Sequence, residues 1–128
     1  MEIVAKSPTT KASAEHFTGD AWIDRITVAE PPSRIRVNVV RFAPGARNAW
    51  HRHTAGQWLH VTEGIGRVQS RGGDVVEIRP GDTVYASPGE WHWHGAAPDH
   101  FMTHLSVTEG HTEWSDHVTD SEYNATNH

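Results

Sequence analysis

The chain has 128 residues, with 11 Lys+Arg against 16 Asp+Glu and a formal net charge of -5; that is long enough for a core of its own and lacks the basic balance of a nucleic-acid binder. It contains no Cys, which excludes disulfides and thiolate metal ligands. It carries 11 His and six Trp, and no apolar run nears the roughly 20 residues of a membrane span. The first residues hold no apolar core of a secretory signal, so the expectation is a soluble, cytoplasmic protein.

Residues 1–19, with Pro8 and Gly19, read as a polar arm in which Ile3 and Val4 could add an edge strand. Residues 21–28 read as a strand. After the Pro31-Pro32-Ser33 loop, residues 34–42 alternate Ile35, Val37 and Val39 with Arg34, Arg36 and Asn38, which predicts a strand. Its parity breaks at Val39-Val40, through a bulge or burial on both faces. Pro44-Gly45 turns the chain into residues 51–61.

There His51 and His53 stand one residue apart, so in a strand they share a face. Gln57 has the same parity. If the strand resumes in register after Thr54-Ala55-Gly56, three donors converge on one interior point. Imidazole nitrogens bind divalent first-row metals well, and an amide oxygen is a neutral, harder companion.

Gly64-Ile-Gly66 turns the chain again, and residues 67–70 and 75–78 form a hairpin closed by Gly72-Gly73. Arg79-Pro80-Gly81-Asp82 is a tight turn before a strand at 83–86. Ser87-Pro88-Gly89-Glu90 turns into a second cluster, His92-Trp93-His94, whose two histidines again share a face. Residues 102–108 are the last strong strand, with Met102, His104 and Ser106 on one side. Residues 111–128 are polar and include a short helical turn at 119–123 capped by Thr119.

No sustained helical period occurs before residue 111. Many short strands punctuated by Gly and Pro imply an all-β sandwich or barrel, with one domain over residues 1–128. By parity Trp50, Trp58, Trp91 and Trp93 point away from the ligand face, as packing or interface residues. Leu59, Val61, and Val40 or Phe42, are the apolar pocket candidates. His60 belongs outside by the same rule. Arg36 and Arg41 read as a solvated strand face or a subunit contact, and Asp82 and Glu90 as turn residues.

These segments resemble two motifs of the cupin family. Gly45, His51, His53, Gln57 and Gly64 match the first motif, with Gln where many cupins carry Glu. Gly81-Asp82 and Pro88-Gly89-Glu90-Trp91-His92 match the second, with Ser87 at the usual proline and Ala96 at a frequent asparagine. The resemblance implies a cupin double-stranded β-helix, or jelly-roll barrel, with a central metal. More narrowly, Phe42-Ala-Pro-Gly-Ala-Arg-Asn-Ala-Trp-His-Arg-His, Ser-Pro-Gly-Glu-Trp-His-Trp-His-Gly-Ala-Ala-Pro, Met102-Thr-His-Leu and His117-Val-Thr-Asp resemble the small bacterial cupin (R)-hydroxynitrile lyases, which depend on manganese.

That resemblance implies His51, His53, Gln57 and His92 as metal ligands and His94 and His104 as further active-site histidines. It implies one Mn(II) per chain; Fe(II), Zn(II) or Ni(II) would suit the same donors. The substrate would be a cyanohydrin such as mandelonitrile, or an aldehyde plus cyanide. Because all four ligands are neutral, the ion would keep most of its +2 charge and favour Lewis-acid chemistry. Packing remains open for His94, and a core role for His104. The alternatives are a metal-dependent oxygenase and a non-catalytic binding cupin. The Trp-rich β surface points to a homo-oligomer, a dimer or tetramer as is common among cupins.

Overall fold

The computed structural model describes residues 1–27 and 30–125. Its β-prone runs, cut by Gly and Pro, form β1 (Thr10–Lys11), β2 (Phe17–Thr18), β3 (Ala21–Arg25), β4 (Arg36–Phe42), β5 (Arg47–Asn48), β6 (His51–His53), β7 (Gln57–Gly64), β8 (Gly66–Ser70), β9 (Val76–Ile78), β10 (Thr83–Ala86), β11 (His92–Ala96), β12 (Met102–Thr108) and β13 (Thr112–Trp114). One helix, α1 (Asp120–Tyr123), follows. One sheet runs β1-β3-β4-β12-β7-β10. The other runs β13-β6-β11-β5-β2, with β8 also paired to β11 and β9 to β8. The expected all-β cupin barrel is what forms. No helix among the described residues is long and apolar enough to cross a membrane.

The interior between the sheets is part apolar and part polar. Val40, Phe42, Val61, Ile78, Ala96 and Met102 form one buried cluster. The histidines of β6, β11 and β12 occupy the rest of the interior. A second cluster, Trp50, Trp93, Val118 and Tyr123, forms where the C-terminal segment covers β11. Trp93 alternates with His92 and His94, so it faces away from them. Strands β11 and β5 meet at Gly95, where an added Cβ would lie 2.4 Å from Ala46 O. Only glycine allows that approach, which brings Asn48 to His94.

The structure alters several sequence expectations. The first strand ends at Arg25, and Val28 lies outside the described residues. Ile3 and Val4 form no strand and are exposed; the edge strand is Thr10–Lys11, paired to β3. Val39-Val40 carries no bulge, because β4 pairs in unbroken register with both β3 and β12. The irregularity lies on β7 instead, where Val61 faces His104 and Glu63 faces Thr103, leaving Thr62 extra. Strand β4 is also inverted relative to its apolar pattern. Val40 and Phe42 face the core, whereas Val37 and Val39 lie half-buried on the outer face. Its inner face is polar at Arg36 and Asn38 because it lines a cavity there.

The expected turn at the C-terminus is α1. Thr119 caps it: its hydroxyl accepts from the Glu122 N–H at 3.1 Å, and the Glu122 carboxylate accepts from the Thr119 N–H at 2.9 Å.

Candidate metal centre and buried histidine pair

His51 and His53 alternate on β6 with half-buried Arg52, so both point inward. Gln57 also points inward, but from a different sheet. The turn at 54–56, with Gly56 at φ +84, carries the chain from β6 in one sheet to β7 in the other. The three donors therefore converge by crossing the barrel and not along one strand face. Strand β11 brings His92 directly opposite His51. The ligand nitrogens of His51, His53 and His92 all lie within 4.8 Å of one another, a group that could hold a metal ion.

Each ring is fixed from behind. His51 Nδ1 donates to Ala49 O at 2.7 Å, and His92 Nδ1 donates to Glu90 O at 2.8 Å. The Thr112 hydroxyl stands 2.9 Å from His53 Nδ1. These contacts leave the Nε2 lone pairs facing inward. Gln57 Nε2 donates to Ser106 Oγ at 2.8 Å, which turns Oε1 toward His92 Nε2 at 2.9 Å. With His92 protonated on Nδ1, those two facing atoms are both acceptors. His53 Nε2 is buried with no partner. Converging acceptors and an orphaned buried nitrogen are what a cation would satisfy, so the residues fit a divalent metal.

Behind this group lies a second constellation. His94 from β11 and His104 from β12 are both buried, with His104 Nε2 2.8 Å from His94 Nδ1. Asn48 Oδ1 accepts the His94 backbone N–H at 2.9 Å. Its Nδ2 lies 3.1 Å from His94 Nε2 and 3.2 Å from His94 Nδ1, so the amide rests against the ring without selecting one nitrogen. At 2.8 Å, His94 Nδ1 and His104 Nε2 share one proton. His104 Nδ1 is buried and unpartnered. The His94 ring stands 5.1 Å from that of His51, so the two constellations border one cavity.

That cavity measures about 160 Å³ and is lined by residues from both sheets, including His51, His53, Gln57, His94, His104 and Trp114. Of the apolar candidates, Val40 lines it. Val61 and Phe42 sit in the core cluster, and Leu59 borders a different depression beyond His92. Trp50, Trp58, Trp91 and Trp93 are absent from the lining, as parity predicted, and His60 is exposed. Glu90 is a turn residue, accepting from the Ser87 N–H at 2.8 Å. Arg41 pairs with Asp24 at 2.8 Å, whereas Arg36 lines the cavity against expectation.

Sequence reasoning passed over Asn48, Thr112 and Trp114. The Trp114 ring lies 4.8 Å from that of His51 and stacks on His16 at 4.1 Å. Its position depends on β13 pairing with β6, a long-range contact that local pattern does not reveal. Asn48, three residues before His51, was the one local signal.

Burial holds these rings neutral. Desolvation pushes His51 and His94 well below the usual imidazole value, and lowers His92. It takes His53 and His104 down to about 4. An unfolded chain, with histidines near about 6.5, binds more protons than the native state between those values. Stability of the metal-free protein is therefore expected to be full above that range and to fall as pH drops from about 6.5 toward 4. Thermal melts across that range check it; a constant Tm would contradict the burial argument.

Comparison with known proteins agrees with this geometry. A family model described as a cupin domain matches residues 38–108, which span β4 to β12. An (R)-mandelonitrile lyase from Granulicella tundricola is 48% identical over 129 residues, covering 96% of this chain and 98% of the relative. The crystal structure of a cupin-like protein from Thermotoga maritima superposes with a TM-score of 0.87 at 38% identity, covering 96% of this chain and 95% of that one. The polyketide cyclase RemF from Streptomyces resistomycificus shares the fold, with a TM-score of 0.71 at 17% identity, covering 96% and 90% of the two chains. Carrying both motifs on a barrel of this topology, the chain belongs to the cupin family.

Proposed function

We propose that this chain is a hydroxynitrile lyase that cleaves and forms cyanohydrins, with mandelonitrile, benzaldehyde and HCN as representative reactants. The observation that carries the reading is the buried His94–His104 pair facing a three-imidazole group across one cavity, in a chain 48% identical to an (R)-mandelonitrile lyase. His51, His53 and His92 would hold the metal through Nε2, and Gln57 through Oε1. Mn(II) is the ion proposed, with Fe(II), Zn(II) and Ni(II) as competitors for the same donors. A divalent ion bound there supplies Lewis acidity toward a substrate oxygen, undiminished by any carboxylate among its donors.

The chain's own residues supply the rest. His94, neutral because it is buried, takes the cyanohydrin hydroxyl proton at Nε2. Asn48 positions His94 for that transfer, accepting its backbone N–H at Oδ1 and resting its amide nitrogen against the ring. The Nδ1 proton of His94 can pass to His104 Nε2, 2.8 Å away, which spreads the positive charge over two rings. The carbonyl forms as the C–C bond breaks, and its electron pair leaves with cyanide. The proton held on the histidine pair then goes to cyanide, giving HCN. Synthesis runs the same transfers in reverse. Phe17, Val40 and Trp114 form an apolar wall for an aromatic ring and exclude water.

The direct test is benzaldehyde release from each mandelonitrile enantiomer by metal-loaded protein. Release above the uncatalysed rate, faster from the (R) form, is expected. Metal-loaded protein that releases none, or that consumes O₂ with its substrate, would replace this reading with a binding protein or an oxygenase.

A further inference from the structure

Arg36, like Arg25 and Arg67 on neighbouring strands, is an arginine without a carboxylate partner among the described residues, and it is the one of the three that lines the histidine cavity. Arg41, Arg47, Arg52 and Arg79 each reach a carboxylate within 2.7–2.8 Å. Arg36 forms no ion pair among the described residues. Among the described residues its donors reach two hydroxyls at long range, Thr108 Oγ1 at 3.4 Å and Thr112 Oγ1 at 3.5 Å. A guanidinium has five N–H donors in a rigid fork, so most of its capacity is unspent.

Its position gives that spare capacity a purpose. Arg36 lines the histidine cavity, and it also lines an outer depression of about 690 Å³. Arg36, Asn38 and Ile23 border both, so these side chains stand where the two spaces adjoin. Among the described residues no Asp or Glu lines either space. With Arg25 and Arg36 as the charged residues of its lining, the outer depression is a local positive field. The same Thr112 hydroxyl that Arg36 reaches stands 2.9 Å from His53 Nδ1, so the guanidinium is one side chain away from the candidate metal group.

We propose that Arg36 is a specificity-determining residue that holds a carboxylate carried by the substrate, on the end remote from the reacting carbon. The proposal rests on the lyase reading and narrows its substrate class to cyanohydrins and aldehydes bearing an acid group. A planar fork matches a carboxylate bidentately, and the threonine hydroxyls keep the fork oriented while no protein anion competes for it.

The test compares metal-loaded wild-type protein with Arg36→Gln and Arg36→Lys, each shown to melt cooperatively. In one arm, kcat/KM is measured for mandelonitrile and for its 4-carboxy analogue. The wild type should prefer the carboxylate substrate by about tenfold to a hundredfold, the range of a charged hydrogen-bonded contact. That ratio should collapse toward one in Arg36→Gln and be intermediate in Arg36→Lys, which keeps the charge but loses the fork. In the other arm, benzoate binding is followed by calorimetry, independent of turnover. Binding should weaken by a similar factor in Arg36→Gln. If neither cyanohydrin is turned over but benzoate binding still depends on Arg36, the lyase reading fails and the carboxylate site stands. A substrate ratio and a benzoate affinity unchanged by Arg36→Gln would overturn the proposal, and would place any bound anion elsewhere in the cavity.

Discussion

His92→Ala is expected to remove bound metal and cyanohydrin turnover together. His92 is one of three imidazoles that converge, and it arrives on a different strand from the other two. Its ring lies 4.3 Å from that of His51, centroid to centroid, and its Nδ1 is anchored on Glu90 O. The anchor fixes both tautomer and direction. Loss even of an outer partner of a ligand typically weakens metal binding by about 10–100-fold, and loss of a ligand itself should exceed that. Metal content by elemental analysis and benzaldehyde release from the same preparation check this. A variant that lost its metal and kept its turnover would remove the metal from the mechanism.

His94→Ala should have the opposite signature: metal retained and turnover lost. The His94 side chain is the group proposed to accept the hydroxyl proton, and general acid–base catalysis typically contributes about 10²–10⁴-fold, so kcat should fall by a factor within that range. His104→Ala should cost less, since His104 acts through the 2.8 Å contact with His94. The double variant should be little worse than His94→Ala, because residues that act as a unit are not additive. Elemental analysis alongside kcat separates this outcome from a damaged metal site. Additive losses would show that the two rings work independently.

Much of the fold and of the candidate site was legible because it is local. The spacing of His51 with His53, and of His92 with His94, needs only strand parity, and both pairs do point inward. Turns at Pro44-Gly45, Gly72-Gly73 and 79–82 follow from residues that fix or free φ. The capping box of α1 lies within four residues. What was not legible depends on partners far along the chain. The turn at 54–56 looked like an interruption of one strand, whereas it transfers the chain between sheets. In β4, apolar Val37 and Val39 suggested the core face, yet the inner face carries Arg36 and Asn38 because the cavity there is polar. The same inversion hid Arg36. Trp114 enters the site only through the pairing of β13 with β6. The usual rule that apolar residues mark the inside fails where the inside is a site.

The measurement that bears most directly on the central claim is turnover as a function of metal loading. Protein stripped by a chelator is reconstituted separately with Mn(II), Fe(II), Zn(II) and Ni(II), and bound metal and benzaldehyde release from (R)-mandelonitrile are determined on each sample. The account predicts that stripped protein is inactive, that activity returns in proportion to bound Mn(II) up to one ion per chain, and that His92→Ala neither binds nor responds. Full activity in the stripped protein, or stoichiometric metal of every kind with no benzaldehyde released, would contradict it.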